Sequence, residues 1–358
     1  MPLKIKDDGI FGKKMEDELS LKNIELEISN PCNENCVHCF RVCKRTKHGF
    51  LSANQVQSVL EQAKALGANK TLITGGESLL NPEWKRIVQI ADELGFQFSF
   101  YTNGSLMKNE DADFLASVKH LTEVQISLYS LDETAHDSIT GVPGSCVKTK
   151  NAIHLLRARN IPLLISSPVM QENKASVYDV MLWCQDEAIR NCTDIFLLGD
   201  SDYTKKNLSH RLSLNDIRLF FMKTIKEFNG RLSYILGKGY GKRDLTQICF
   251  YNGAAHSLCV AGDGTIYPAI GWYEPLGNIT TDKLSEVFQN HPLLQELRNI
   301  YVSDIDECMK CTCSDFCQFC FNTHIIANYG KLGKVDREWC DFIKLLKNIA
   351  TEKTNSRN

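Results

Sequence analysis

Two alternating rhythms of apolar and polar residues run along most of the chain. "NIELEIS" (23–29) puts Ile24, Leu26 and Ile28 on every second position, the period of a strand with one buried face. After Ser52, a residue suited to capping a helix, "ANQVQSVLEQAKALG" (53–67) changes to a helical period and closes on Gly67. The pair then recurs. Strands are expected at "TLITGG" (71–76), "QFSFYTNG" (97–104), "EVQISLYS" (123–130), "PLLISSPVM" (162–170) and "TDIFLLG" (193–199). Helices are expected between them at "EWKRIVQIADELG" (83–95), "EDADFLASVKH" (110–120), "CVKTKNAIHLLRARN" (146–160) and "ASVYDVMLWCQDEA" (175–188). Six strands alternating with helices imply an α/β fold whose parallel sheet curls into a partial or full barrel. Ligands then belong at the carboxyl ends of the strands.

The rhythm changes after residue 199. "DSDYTKKNLSHRLSLN" (200–215) reads as a polar loop, followed by a helix over 216–230 and one strand, "RLSYILG". "GDGTIYPA" (262–269) reads as a turn and a short strand of a small hairpin, and the last dozen residues as a tail. The expected division is an N-terminal tail (1–20), a partial (β/α)6 TIM-like barrel (21–215), a bridging helix and strand (216–248), a small cysteine-rich domain (249–345) and a C-terminal tail (346–358). A length of 358 residues agrees with one large core plus a smaller one.

Composition narrows the function. Net charge is −2 and no long basic block occurs, which argues against a nucleic-acid binder. No long apolar run and no charged-then-apolar leader is seen, so no membrane association is expected and the cytoplasm is the expected location. The 15 cysteines are the anomaly. They bunch at two places in a chain without a signal peptide, which favours metal ligation over disulfides.

The first group lies in "PCNENCVHCF" (31–40), directly after the first strand: Cys32, Cys36 and Cys39. A structural zinc site completes its shell with four protein ligands. Three thiolates with no fourth nearby suit a [4Fe–4S] cluster with one iron open to a small molecule. The spacing C-x3-C-x2-C, at the end of the first barrel strand, resembles the radical S-adenosylmethionine (SAM) superfamily. That resemblance implies an open iron that chelates the amino and carboxylate groups of SAM, and a reduced cluster that cleaves SAM to a hydrogen-abstracting 5′-deoxyadenosyl radical. His38 takes the position before the last cysteine, where the family favours an aromatic residue near the adenine. "TGGES" (74–78) resembles the segment that binds the SAM amino group: Gly75 and Gly76 allow close approach to a ligand and Glu77 supplies a carboxylate acceptor. Asn103, in "YTNG", is a ribose contact or an ordinary turn residue, and Ser127 resembles a polar contact to SAM. "HDSITGVPGS" (136–145) resembles a segment of the peptide-modifying branch, with Ser138 where an arginine is common.

The second group is Cys249, Cys259, Cys308, Cys311, Cys313, Cys317, Cys320 and Cys340. With "LGNI" (276–279) and "GDGTIYPA" it resembles the SPASM domain, which carries two auxiliary iron–sulfur clusters in peptide- and protein-modifying radical SAM enzymes. The resemblance assigns Cys308, Cys311, Cys317 and Cys340 to an outer cluster of four-iron type, and Cys249 and Cys320 to an inner one. Two departures stand out. Ala269 replaces the usual cysteine after the proline, and the Cys317–Cys320 gap is one residue short. Cys259 is the first candidate to replace the missing ligand and Cys313 the second. A zinc knuckle is the other reading of Cys308-x2-Cys311. Cys43, Cys146, Cys184 and Cys192 read as small hydrophobes or surface thiols.

The function implied is an oxidoreductase that abstracts hydrogen from a ribosomally made precursor peptide and installs a thioether, a carbon–carbon cross-link or a related change. It would draw electrons from a flavodoxin- or ferredoxin-type donor. Only about twenty residues precede the first strand, too few for a winged-helix recognition domain, so a leader would be held by a separate recognition protein, by the barrel rim, or not at all. Alternatives are a sulfatase-type maturase, a peptidyl epimerase, a small-molecule dehydrogenase, or a non-enzymatic zinc scaffold. No catalytic acid or base stands out; Asp200 and Asp202 lie at the right end but suit a solvated loop equally well.

Overall fold

The computed structural model describes residues 19–41, 49–227, 255–313, 317, 321–332 and 334–355. Its frame is a single sheet in the order β6-β5-β4-β3-β2-β1-β7-β8-β9. Strands β1 (Asn23–Ser29), β2 (Lys70–Gly75), β3 (Gln97–Thr102), β4 (Leu121–Ser127), β5 (Leu163–Ser166) and β6 (Arg190–Cys192) are parallel neighbours. Helices α1 (Ala53–Ala65), α2 (Trp84–Glu93), α3 (Asn109–Ser117), α4 (Glu133–Thr140), α5 (Ser145–Arg157) and α6 (Val177–Asp186) alternate with them. The sequence sets the helix ends locally. At α1, Ser52 Oγ accepts from Gln55 N at 3.2 Å and Gln55 Oε1 accepts from Ser52 N at 2.9 Å, a reciprocal cap.

Each strand turns its apolar residues to the helices. Ile24, Leu26, Ile28, Ile73, Phe98, Phe100, Val124, Ile126 and Ile165 are all buried there, with Val56, Leu60 and Ile87 from the helices. Fully burying one such side chain contributes about 1.5–3 kcal/mol, so this layer is the main source of stability. Alternation then leaves the other face mostly polar, with Glu25, Glu27, Thr74, Tyr101, Glu123, Gln125, Ser127 and Ser166 beside the apolar Leu72 and Leu164. That face is the inside of the curled sheet. Burial pushes Glu25 up to about 7, partly offset by the Ile270 N–H, and pushes the Tyr101 phenol up to about 12.

The structure corrects several expectations. The sixth strand is Arg190–Cys192, not residues 193–199. Backbone bonds carry pairing as far as Asp194, whose carbonyl accepts from Val169 N at 2.7 Å, and the chain then leaves the sheet. The apolar run that suggested a strand is used in packing: Phe196 lies 5.3 Å from Phe342, and Leu197 is buried with Cys36 and Tyr129. Helix α4 was not expected; Asp132 caps its start by accepting from Ala135 N, and Gly141 ends it in the left-handed conformation at φ +69°. The loop over 200–215 contains a short 3-10 turn, Lys206–His210, and α7 spans Leu214–Glu227. The strand expected at 231–237 lies outside the described residues.

The C-terminal segment continues the sheet. Strand β7 (Ser257–Val260) pairs in parallel with β1, and β8 (Thr265–Tyr267) and β9 (Gly277–Asn278) extend it antiparallel. Helices α8 (Leu284–Asn290), α9 (Pro292–Arg298), α10 (Asp306–Met309), α11 (Phe321–Ala327) and α12 (Arg337–Asn355) follow.

Candidate functional site

The cysteine turn leaves the carboxyl end of β1 and is held from three sides. From β2, Gly76 N donates to Ser29 O at 2.6 Å and Glu77 N to Pro31 O at 3.0 Å. A side chain on Gly75 would overlap the backbone of Ser29, and one on Gly76 would overlap the carbonyls of Asn30 and Pro31. Both glycines therefore admit protein backbone, where the sequence suggested a ligand. From α4, the last carbonyls accept from the turn itself: Thr140 O from Asn35 N at 2.8 Å and Ile139 O from Val37 N at 3.0 Å. From the loop after β6, Asn207 Nδ2 donates to His38 O at 3.0 Å and Ser201 N to Phe40 O at 2.9 Å. Asp200 braces that loop by accepting from Asn207 N and Thr204, and Asp202 also accepts from Thr204.

Cys36 is buried, whereas Cys32 and Cys39 are half-buried. Glu34 N donates to Cys32 Sγ at 3.5 Å. Burial pushes the Cys32 thiol up to about 12, with the Glu77 and Glu34 carboxylates adding to it, and raises Cys36 well above the ordinary thiol range. Buried thiols such as Cys32 and Cys36 become thiolates only beside a compensating metal charge. Among the described residues, no three His, Cys, Asp or Glu side chains are grouped as one metal ion requires. Three thiols on one turn are the number of protein ligands that a [4Fe–4S] cluster with one open iron would take, and Cys32, Cys36 and Cys39 would be those ligands.

Glu77 is 1 % exposed and accepts from Thr102 Oγ1 at 2.6 Å, Leu79 N at 2.9 Å and Asn103 N at 2.8 Å. It thereby ties the ends of β2 and β3 together, and burial raises its pKa. The Asn103 amide reaches back to the cysteine turn, donating to Asn33 Oδ1 at 2.9 Å and approaching Cys32 Sγ at 4.0 Å. Ser127, on the inner face of β4, hydrogen-bonds the Tyr129 phenol. His38 packs edge-on against the same phenol ring, centroids 4.9 Å apart. Ser138 is exposed on α4 and donates to Ala135 O.

Four residues of the site carried no separate signal in the sequence. Tyr129 places its hydroxyl 3.7 Å from Cys36 Sγ; its spacing of two from Ser127 puts both on one face. Glu34 Oε2 lies 3.6 Å from Cys36 Sγ. Asp137 accepts from Gly144 N, Ser145 Oγ and Cys146 N, fixing the turn between α4 and α5. Arg41, just past Cys39, pairs at 3.1 Å with buried Glu27, which also accepts from Tyr273 Oη at 2.7 Å. That network joins the cysteine turn to β1 and to the C-terminal segment.

A second group of thiols converges elsewhere. Cys308, Cys311, Cys313, Cys317 and Cys340 line a cavity of about 200 Å³, with His324 and Trp339. Cys313 N donates to Cys311 Sγ at 3.4 Å, the same offset as the Glu34–Cys32 contact. Burial and the neighbouring thiols of Cys317, Cys308 and Cys311 push Cys340 up to about 11. Cys259 does not line this cavity; it is buried on β7 opposite Glu25 of β1. Ala269 forms a β-bridge with Trp272. Cys146 and Cys184 are buried, and Cys192 is exposed. Cys43, Cys249 and Cys320 lie outside the described residues.

Residues 26–184 match the family described as the radical SAM superfamily. The chain is 26 % identical over 314 residues to the antilisterial bacteriocin subtilosin biosynthesis protein AlbA of Bacillus subtilis, covering 82 % of this chain and 66 % of that one. It is 24 % identical to the sporulation killing factor maturation protein SkfB of the same organism, covering 75 % and 65 %. The chain thus spans just under two thirds of the length of these two relatives. In fold it is similar to Streptococcus suis SuiB bound to precursor peptide SuiA, with TM-score 0.72, 18 % identity, and 90 % and 76 % of the chains covered. It is also similar to anSMEcpe with bound AdoMet and a peptide, with TM-score 0.70, 18 % identity, and 93 % and 99 % covered. No helix among the described residues is long and apolar enough to cross a membrane. Members of the radical SAM superfamily bind a [4Fe–4S] cluster and SAM. With the three-cysteine turn at the end of β1 and the match over residues 26–184, that part of the chain is a radical SAM domain.

Proposed function

We propose that the protein is a radical SAM enzyme that modifies a ribosomally synthesised precursor peptide, forming a thioether, a carbon–carbon cross-link or a related change at an unactivated C–H bond. The observation that carries this reading is the coexistence, in one chain, of the three-cysteine turn at the barrel mouth and a separate cavity lined by five thiols. The similarity to AlbA and SkfB supports the peptide as substrate. When bound, the reduced cluster supplies the electron that cleaves SAM and so generates the hydrogen-abstracting radical. The chain's own residues do the rest. The last carbonyls of α4, the Gly75–Gly76 turn and the loop after β6 fix the cysteine turn. Glu77, Asn103, Ser127 and His38 border the place where SAM would lie, and the polar inner face receives the substrate. Cys308, Cys311, Cys317 and Cys340 would hold an auxiliary iron–sulfur cluster, with Cys313 as a fifth thiol in the same cavity. The ligands of a second auxiliary cluster would include Cys259, Cys249 and Cys320. A flavodoxin- or ferredoxin-type protein would deliver electrons, in the cytoplasm.

Anaerobic coexpression with a short peptide encoded beside the gene, followed by mass spectrometry of that peptide, tests the reading. The expected result is a loss of two hydrogens per cross-link. The variant with Cys32, Cys36 and Cys39 all changed to alanine should yield unmodified peptide and no 5′-deoxyadenosine. Deoxyadenosine formed by that variant at the wild-type rate would overturn the assignment. A colourless protein holding stoichiometric zinc would favour the zinc scaffold.

A further inference from the structure

Cys36 differs from its two partners in where its sulfur lies. Cys32 and Cys39 are half-buried, while Cys36 is 9 % exposed. A thiolate that water reaches poorly depends on protein donors to stabilise its charge. One donor positioned for Cys36 is the Tyr129 hydroxyl, at 3.7 Å from Sγ. The neighbouring Glu34 carboxylate, at 3.6 Å, is an acceptor when ionised and cannot stabilise a thiolate.

Tyr129 is held from every side. Its ring packs against His38 and His136, with centroids 4.9 Å and 5.3 Å away. Its N–H donates to His136 Nδ1 at 3.3 Å, and its carbonyl accepts from Asn173 Nδ2 at 2.9 Å. The phenol is 5 % exposed, and burial keeps it protonated. Ser127 also hydrogen-bonds the phenol. An ionised Cys36 has no proton to give, so in the 3.7 Å contact the phenol is then the donor.

We propose that Tyr129 donates a hydrogen bond to the Cys36 thiolate and thereby sets the reduction potential of the cluster that this turn holds. The proposal rests on the cluster assignment above. A hydrogen bond to a ligand sulfur is stronger when the cluster carries one more electron, because the sulfur is then more negative. It therefore stabilises the reduced state and raises the potential. Tyr129 acts through Cys36, so it is a positioning and tuning residue.

The test is a potentiometric titration of the full, anaerobically reconstituted chain, followed by electron paramagnetic resonance. The signal that SAM perturbs identifies the cluster in question. Tyr129→Phe keeps the ring contacts with the two histidines and removes only the hydroxyl. Its midpoint should fall by about tenfold in the one-electron equilibrium, about 59 mV, with iron content unchanged. In a second series Tyr129 is replaced by fluorotyrosines of increasing acidity, which are stronger donors. The midpoint should rise in that order. An unchanged midpoint in Tyr129→Phe together with a flat fluorotyrosine series overturns the proposal. If the Phe variant fails to retain its cluster, the fluorotyrosine series decides alone: a rise supports the hydrogen bond and a flat line overturns it. A wild-type chain that takes up no iron at Cys32, Cys36 and Cys39 would overturn the cluster assignment and this inference together.

Discussion

Glu77 is the residue at which structure and sequence assign different duties, and substituting it separates them. The sequence assigns it to the SAM ammonium; in the structure its carboxylate already accepts three hydrogen bonds within the protein. Oε1 takes two and Oε2 takes one, and a carboxylate has about four acceptor positions, so one on Oε2 remains for a ligand. Glu77→Ala deletes every acceptor at once. The Thr102 hydroxyl can rotate, and it still accepts from Gly104 N at 3.0 Å. The N–H groups of Leu79 and Asn103 cannot rotate. Each buried donor left without a partner costs about 1–3 kcal/mol, so the variant should lose roughly 2–6 kcal/mol. An unfolding entropy of about 2.1 cal/mol/K per residue over 358 residues gives about 1.3 °C per kcal/mol, so Tm should fall by roughly 3–8 °C. Glu77→Gln restores one acceptor oxygen but turns an NH2 group toward a donor, so its Tm should lie between wild type and Ala. Thermal unfolding under anaerobic conditions measures this effect, and equilibrium dialysis of SAM on chains retaining full iron measures the other. A lost charged hydrogen bond of about 1.5–3 kcal/mol should weaken SAM binding roughly ten- to a hundredfold in the Gln variant. A Tm within 1 °C (about) of wild type in Glu77→Ala would refute the hydrogen-bond accounting. Unaltered SAM affinity in a folded Gln variant would assign Glu77 to the scaffold alone.

Three further outcomes are expected. Gly76→Ala should displace the Asn30–Pro31 backbone, because its Cβ would overlap both carbonyls, and iron bound at the adjacent turn should fall below wild type; full iron and wild-type SAM binding would count against that close approach. Anaerobic reconstitution should give about twelve irons per chain with two auxiliary clusters and about eight with one; a value near four with stoichiometric zinc would transfer the five-thiol cavity to a zinc site. Burial lowers His136 to about 4, so as pH falls through the ordinary histidine range the unfolded chain takes up a proton that the folded chain refuses, and stability is lost. Between pH 7.5 and 5.5 this should cost about 1.3 kcal/mol. His136→Gln, which retains an acceptor for Tyr129 N, should lack that slope, and equal slopes in urea titrations would disprove the linkage.

Much of the frame was legible along the chain because its causes are local. The limits of β1 follow from the alternation of Ile24, Leu26 and Ile28, and α1 begins where Ser52 and Gln55 cap each other. The cysteine spacing and its position after β1 announced the chemistry. The departures arise where distant segments compete. "TDIFLLG" has strand composition, yet its apolar residues pack against α12 and Tyr129, and the ladder on β5 is taken by the less apolar Arg190–Cys192. Gly75 and Gly76 signalled close approach, but only the folded chain identifies the approaching group as the backbone of Ser29–Pro31.

By itself the sequence determined the β/α alternation, the caps, and the three thiols on one turn, because each depends on contacts within a few residues. Tertiary structure alone decided that β7 joins the edge of β1, that the polar side of "NIELEIS" is the inside of a curled sheet, and that Cys259 lies opposite Glu25 and away from the five-thiol cavity. It also decided that Tyr129 reaches Cys36 across 93 residues of chain. Alternation separates the two faces of a strand without stating which one meets helices, and pairing between remote strands depends on the summed burial of the whole fold. Neither quantity is contained in any short stretch of residues.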